Sequence, residues 1–351
     1  MNQIPLIYVL HSGQLYGTER MAMIAVKGIS HEFQPILLAP PGLLLAEAKH
    51  QGLATECFRN NWDLGNRLKS YLVEHQKVVF VTTSVSQSIC IMLWNLFYHR
   101  QLVHLLMVHG GVNERLSYAR KSMLNYLPVK FIAVSEFVRD RLQVHGVRPQ
   151  QIKVIENFLS ESQIELMPKR QPFTKPGIKR VIVVSRLDPI KRVDLLFDTL
   201  DSFPELDGLE FRIFGSGRDM AKLKKRASES HPQVILEGFS NQVLEEMANS
   251  DLLLHLCPVE PFGLAILEAM AVGIPVLVPD RGGAKTLVQH GISGFQFSAD
   301  DEKDLALWLL KLQKSPAQLL NQIVSNAQNT LKSRFSEQKG IAAYNDLLNF
   351  A

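Results

Sequence analysis

The feature that most limits the fold is an alternation that runs almost the length of the chain. Short apolar runs rich in Val, Ile and Leu are separated by stretches with helical periodicity. The first half offers strands at Leu6–Leu10, Pro35–Leu38, Val78–Thr82, Leu105–Val108 and Phe131–Val134, with helices at Glu19–Gly28, Gly42–Gln51 and Glu136–His145. Continuous apolar strands separated by helices predict a parallel sheet covered on both faces. Residues 160–179 contain three prolines and mostly polar side chains, which reads as a linker. The alternation then restarts at Val181–Val184, Phe211–Phe214, Val234–Leu236, Leu252–Leu256 and Pro275–Val278, and the tail from Asp301 is helical in pattern. A length of 351 residues suits two such domains.

Composition bears on where such a chain works. Cys57, Cys90 and Cys257 are scattered without metal-ligand spacing and read as reduced packing residues, so a cytoplasmic setting is expected. The N-terminus shows no signal-peptide pattern, and Asn95, His99, Arg100, Gln101 and His104 interrupt the longest apolar stretch, against a spanning helix. Residues 1–170 hold 18 Lys+Arg against 12 Asp+Glu, and residues 171–351 hold 20 against 22. The basic half, with Arg115, Arg120, Lys121, Arg139 and Arg141, favours an anionic acceptor or peripheral association with the inner face of an anionic membrane. An ordinary solvated surface is the alternative.

Ligands of open α/β sheets bind beyond the C-terminal strand ends, so the chemistry is sought there. Glu260-Pro261-Phe262-Gly263-Leu264 opens a helix that is apolar except for Glu268. A carboxylate with no polar helix face needs partners, such as ribose hydroxyls, or else a structural bond to a neighbouring element. The amides at Phe262–Leu264 suit an anion such as a diphosphate. Arg186 and Lys191 follow a strand and can reach one polyphosphate, though a solvated basic loop has the same look. Gly215-Ser216-Gly217 permits close backbone approach to phosphate, or is a plain turn. The loop from His11 through Gly17 to Arg20, the His109-Gly110-Gly111 strand end, and Asp280-Arg281-Gly282-Gly283 before a helix are further candidates with equally simple structural readings.

Taken together and in order, these residues resemble the retaining glycosyltransferase family 4, of the GT-B fold. The resemblance is carried by Ser185-Arg186-Leu187 with Lys191, Gly215-Ser216-Gly217, Glu260 through Leu264, Glu268-Ala269-Met270-Ala271, Gly273-Ile274-Pro275-Val276 and Gly282-Gly283. It implies two Rossmann-like doubly wound domains facing across a cleft. Residues 1–160 would bind the acceptor, with a terminal helix at about 336–351 packing back on them, and residues 175–335 would bind the donor. It also implies a UDP- or GDP-sugar donor, a glycan, lipid or small-molecule acceptor, retention at the anomeric carbon, and no nucleic-acid partner. Arg186 and Lys191 would neutralise the diphosphate, Glu268 hold the ribose, and Glu260 with the amides of Phe262, Gly263 and Leu264 bind the sugar. Gly17 and Gly215 would approach the phosphates, His109 the reacting sugar, and Phe239 with Ser240 the base. No metal or cofactor is expected, in keeping with the absence of an Asp-x-Asp motif. Tyr16 replaces the first of a glycine pair, Thr286 a Glu, Phe158 a Gly, and Glu156 a small residue or proline. A nucleotide-sugar epimerase on the same architecture and a non-catalytic sugar-nucleotide binder are the competing readings.

Overall fold

A computed structural model describes residues 3–111 and 114–349, without the side chains of Glu114, Arg115 and Asn349. Of the expectations above, the Arg115 side chain and residues 350–351 of the terminal helix therefore lie outside the described residues. The chain divides into one unit of Met1–Phe158 with Glu337–Ala351, and a second of Leu159–Ser336.

In the first unit the strands are β1 (Ile4–Val9), β2 (Phe33–Ala39), β3 (Thr55–Cys57), β4 (Lys77–Thr82), β5 (Gln101–Val108), β6 (Lys130–Ala133) and β7 (Ile152–Val154). They form a parallel sheet in the order β3-β2-β1-β4-β5-β6-β7. The second unit holds β8 (Arg180–Val184), β9 (Glu210–Phe214), β10 (Val234–Gly238), β11 (Leu252–Leu254), β12 (Val276–Pro279) and β13 (Phe295–Phe297), in the order β10-β9-β8-β11-β12-β13. This second sheet is parallel too. Both sheets reverse direction of growth beside their first strand, which is the doubly wound pattern expected. β1 and β4 are buried from their second residue on, as central strands covered by helices on both faces must be.

Caps mark where the helices begin. The Ser84 side chain accepts from the Gln87 N–H and forms a capping box for Val85–Tyr98, and Ser160 does the same for Glu161–Leu166. The helix Glu337–Asn349 packs on Gly17–Gly28 within the first unit. Asn345 Oδ1 accepts from the Ser30 N–H at 3.0 Å, just past the end of that helix. Phe158 is 1% exposed and lies against Gly340, where an added Cβ would come within 2.0 Å of the phenyl ring. The aromatic residue at a position where glycine was expected is thus accommodated by a glycine on the terminal helix.

One expectation needs correction. The 160–179 stretch is not a free tether. Glu161–Leu166 is helical, and Phe173 and Ile178 join the core of the second unit. Arg170 stacks 3.5 Å over the Phe173 ring and pairs with Asp251 at 2.6 Å. Polar composition concealed two buried apolar anchors. Among the described residues, no helix is long and apolar enough to cross a membrane.

Candidate active site

The second unit brings together Lys191 and Glu260, which sequence alone placed on separate loops. Lys191 ends a 3-10 turn, Pro189–Lys191, after β8, and its Nζ donates to Glu260 Oε2 at 2.5 Å. Each side chain is only 15% exposed. Burial is the largest single influence on each and opposes its charge, but the groups around it together outweigh burial. Glu260 is held below the ordinary carboxylate range by Lys191, helped by His255, and Lys191 is held above its usual value chiefly by Glu260.

The backbone explains how the pair is presented. Arg192, the residue after Lys191, has φ 55°, an unfavourable conformation for a non-glycine residue. Its guanidinium is fixed by Asp194 and Asp300, each at 2.8 Å, and this anchors the turn. On the other side, the Gly283 N–H donates to the Glu260 carbonyl at 2.6 Å. A Cβ at Gly283 would lie 2.1 Å from the Pro261 carbonyl oxygen, and one at Gly282 would lie 2.8 Å from that of Pro258. The paired glycines therefore have a structural duty, letting the turn after β12 grip the segment that carries Glu260.

The glycines after β9 behave likewise. A Cβ at Gly215, where φ is 133°, would lie 1.9 Å from the Ser185 carbonyl oxygen, and one at Gly217 would lie 2.4 Å from that of Leu187. The Leu187 N–H donates to the Ser216 carbonyl at 3.0 Å. Close approach is real at Gly215, and its partner within the chain is the backbone leading to Arg186. The Arg186 guanidinium is 56% exposed and 3.4 Å from Asp188 Oδ2, and Arg218 reaches the other oxygen of Asp188 at 3.3 Å. Most of the Arg186 fork thus faces solvent.

Glu268 departs from the expectation of a helix without a wet face. In Leu264–Val272, six positions are buried, but Leu264, Ala265 and Glu268 are only half-buried. These three positions share one face at the start of the helix, which is therefore only partly covered. The helix begins at Gly263, with φ 105° and no side-chain cap. The first N–H groups of a helix lack intrahelical acceptors, so this end is a ready anion site. Phe262 contributes only its backbone, because its ring is 3% exposed and meets Phe335 edge-on at 6.0 Å. Phe239 is 78% exposed, an aromatic face free for stacking, while the Ser240 hydroxyl accepts from the Gln242 N–H at 3.0 Å. The Thr286 hydroxyl is turned back to the Gly283 carbonyl at 2.8 Å.

Sequence reasoning missed His255 and Cys257 in this unit. His255 Nε2 lies 3.5 Å from Glu260 Oε2, without a hydrogen-bond partner, and burial pushes the ring down to about 4, so it is neutral near pH 7. Cys257 donates to the Ile190 carbonyl at 3.3 Å, and burial raises its thiol to about 11. The missed signal was a histidine inside an apolar run, five residues before Glu260. Among the described residues, no group of three or more His, Cys, Asp or Glu is arranged to hold a metal ion.

The first unit places His109 directly after β5, and its ring Nε2 is buried without a hydrogen-bond partner. Desolvation, with a contribution from His11, pushes the ring down to about 4. Gly17 opens the helix Gly17–Gly28 behind Tyr16, which is 63% exposed and provides no side-chain cap. Glu19 in the first turn is buried, which raises its carboxyl, while backbone hydrogen bonds at Glu19 and Tyr16 pull the other way.

Residues 168–330 match the model of the family described as glycosyl transferases group 1. The N-acetyl-alpha-D-glucosaminyl L-malate synthase of Bacillus anthracis is 28% identical over 209 residues, covering 56% of this chain and 54% of that protein. The lipopolysaccharide 1,6-galactosyltransferase of Salmonella typhimurium is 26% identical over 170 residues, covering 46% of each. The chain therefore spans about half the length of these two curated relatives. Among solved structures, Anabaena HepE in complex with UDP and glucose superposes with a TM-score of 0.82 over 99% of this chain and 100% of that one, at 21% identity. That likeness concerns the fold, and two Rossmann-like domains of the GT-B class are what the chain has.

Proposed function

We propose that this chain is a glycosyltransferase that moves a sugar from a nucleotide-diphosphate sugar to a glycan, lipid or small-molecule acceptor, with retention and without a bound metal. The observation that carries the reading is the Lys191–Glu260 pair, buried beside an uncapped helix N-terminus inside the stretch that matches the group 1 model. The relatives support it, since one is an N-acetyl-alpha-D-glucosaminyl L-malate synthase and another a galactosyltransferase, and HepE is found in complex with UDP and glucose.

In this reading each group has work suited to its surroundings. Glu260 uses one of the three N–H donors of Lys191, leaving two for a phosphate oxygen. Arg186 offers its exposed fork to the same diphosphate. The amides at the start of Leu264–Val272 complete the anion site, so the leaving diphosphate is stabilised by fixed dipoles and cations. Glu260 and Glu268 accept hydroxyls of the sugar and the ribose, and the Phe239 ring borders the base. His109, neutral near pH 7, accepts or donates a hydrogen bond at the reacting sugar. The acceptor hydroxyl attacks from the face the diphosphate leaves, and a departing phosphate oxygen takes its proton.

A nucleoside diphosphate at about 100 times its dissociation constant is expected to stabilise the protein by about 2.7 kcal/mol. A thermal-shift series with UDP, GDP and their sugars measures this, and no response to any of them would sink the reading. Peripheral membrane docking is a second part of the proposal, and one surface favours it. Leu93, Leu96 and Phe97 are 56%, 67% and 75% exposed at i, i+3 and i+4 of the helix Val85–Tyr98. The basic cluster is weaker than its composition suggested, because Arg139 pairs with Glu136 and Asp140. Cosedimentation with phosphatidylglycerol vesicles is expected to fall several-fold in Phe97→Asp; equal binding by both proteins removes this part.

A further inference from the structure

His255 has no work in the transfer reading, yet its surroundings single it out. Its backbone N–H donates to the Leu277 carbonyl at 2.9 Å, which carries the β11–β12 pairing one residue past Leu254. The residue is therefore seated on the sheet, 6% exposed, between the buried Leu254 and Leu256. Among the described residues its buried Nε2 has no hydrogen-bond partner, and it lies 3.5 Å from Glu260 Oε2. Buried polar atoms are nearly always paired, so an orphan of this kind needs a physical reason.

Lys191 supplies the reason. Among the described residues it is the hydrogen-bond donor to the Glu260 carboxylate, and it holds the same oxygen that His255 faces. An N–H···O bond closes at about 2.9 Å, so the ring stands about 0.6 Å short of one. Lys191 carries its charge on a flexible stem from a short turn, whereas His255 is fixed by the sheet. Of the two, Lys191 is the one that can move when another anion arrives. The other groups nearby are occupied: the Cys257 thiol donates to the Ile190 carbonyl, and the Arg186 guanidinium pairs with Asp188. The His255 ring is neutral near pH 7 and carries one N–H, so it can support a carboxylate without competing for its charge.

We propose that His255 is a positioning residue for Glu260, its Nε2–H closing on the carboxylate oxygen as an arriving anion draws Lys191 back from it. In the transfer reading, on which this use rests, the anion is the donor diphosphate. Without a second donor, Glu260 would then be a buried charge with no fixed direction. The bond from His255 keeps it aimed while Lys191 serves the leaving group.

The first test needs no ligand. Nitrogen-15 NMR of the full chain with labelled histidine shows which ring nitrogen carries the hydrogen, the His255 signals being identified by their loss in His255→Gln. The Nε2–H form is expected. The Nδ1–H form overturns the proposal, because it turns a lone pair toward the carboxylate. The Nε2–H proton is then expected to move downfield with saturating UDP, and also in ligand-free Lys191→Met. A proton unmoved in both overturns the proposal. If no nucleoside diphosphate binds but Lys191→Met moves the proton, the transfer reading fails and His255 stands as the support of Glu260. In steady-state kinetics, His255→Leu is expected to lower kcat about tenfold, the effect of losing one hydrogen bond to a charged group. KM for the donor is expected to stay near its unaltered value. His255→Gln, whose amide N–H reaches about as far as Nε2, is expected to recover most of the loss. Unaltered kcat in a folded His255→Leu protein, or equal losses in the two variants, also overturns the proposal.

Discussion

Lys191→Ala is expected to lower kcat by on the order of 10²–10³ and to destabilise the fold by about 3 kcal/mol. The two losses have different causes. The first removes a cation that would face the leaving diphosphate. The second leaves Glu260, 15% exposed, without its main counter-charge. The pH behaviour follows from the same pair. Glu260 titrates below its ordinary value in the folded protein, so its stabilisation is full above the unfolded value and is lost as pH falls through the lowered one. Lys191 titrates above its ordinary value, so its share is full below the unfolded value and is lost as pH rises through the raised one. Without Lys191, burial prevails at Glu260 and its carboxyl rises. The acid limb of kcat/KM is then expected to move to higher pH. The double variant Lys191→Met with Glu260→Gln is expected to recover stability but not turnover, because no buried charge is stranded. Steady-state kinetics and urea melts on these two variants and the unaltered protein decide it. Near-normal turnover in Lys191→Ala would remove Lys191 from the chemistry.

Much of this architecture is legible in the sequence because the central strands are continuous apolar runs. Leu6–Leu10 and Val78–Thr82 differ from the observed β1 and β4 by no more than two residues at either end. The strands missed are β3, β7 and β13, each three residues long and each at a sheet edge. An edge strand pairs on one side only and needs no long apolar run. The site is legible in part. The motif around Glu260 singled out the loop that carries one half of the buried pair, but no spacing rule could bring Lys191, 69 positions away, to within 2.5 Å of it. His255 was hidden because a strand end and a site edge have the same apolar context. The glycines also have a structural duty. At Gly215, Gly217, Gly282 and Gly283 the close approach is to the backbone of a neighbouring loop, a tertiary contact that local sequence does not reveal.

That distinction gives the second large effect, in Gly283→Ala. Gly283 is absent from the positive-φ residues, so alanine there meets no backbone strain. What it meets is the Pro261 carbonyl oxygen at 2.1 Å and the Glu260 carbonyl oxygen at 2.8 Å. Neither can yield as a flexible side chain would, since both are backbone and the next residue, Phe262, is locked against Phe335. The added methyl must therefore push the Glu260 segment away from the turn and lengthen the 2.6 Å hydrogen bond from the Gly283 N–H. A shift of about 1 Å in a positioned group typically costs about 10² in rate, and overpacking of this kind costs about 1–3 kcal/mol. Gly291→Ala is the matched control, with φ +73° but nothing within 4 Å of an added Cβ. It carries strain without a clash, so it is expected to lose about 1 kcal/mol and keep its turnover. The pair of variants separates conformational strain from displacement of Glu260. If Gly283→Ala turns over donor as fast as the unaltered protein, the position of Glu260 does not matter to the reaction, and its assigned role at the sugar falls with it.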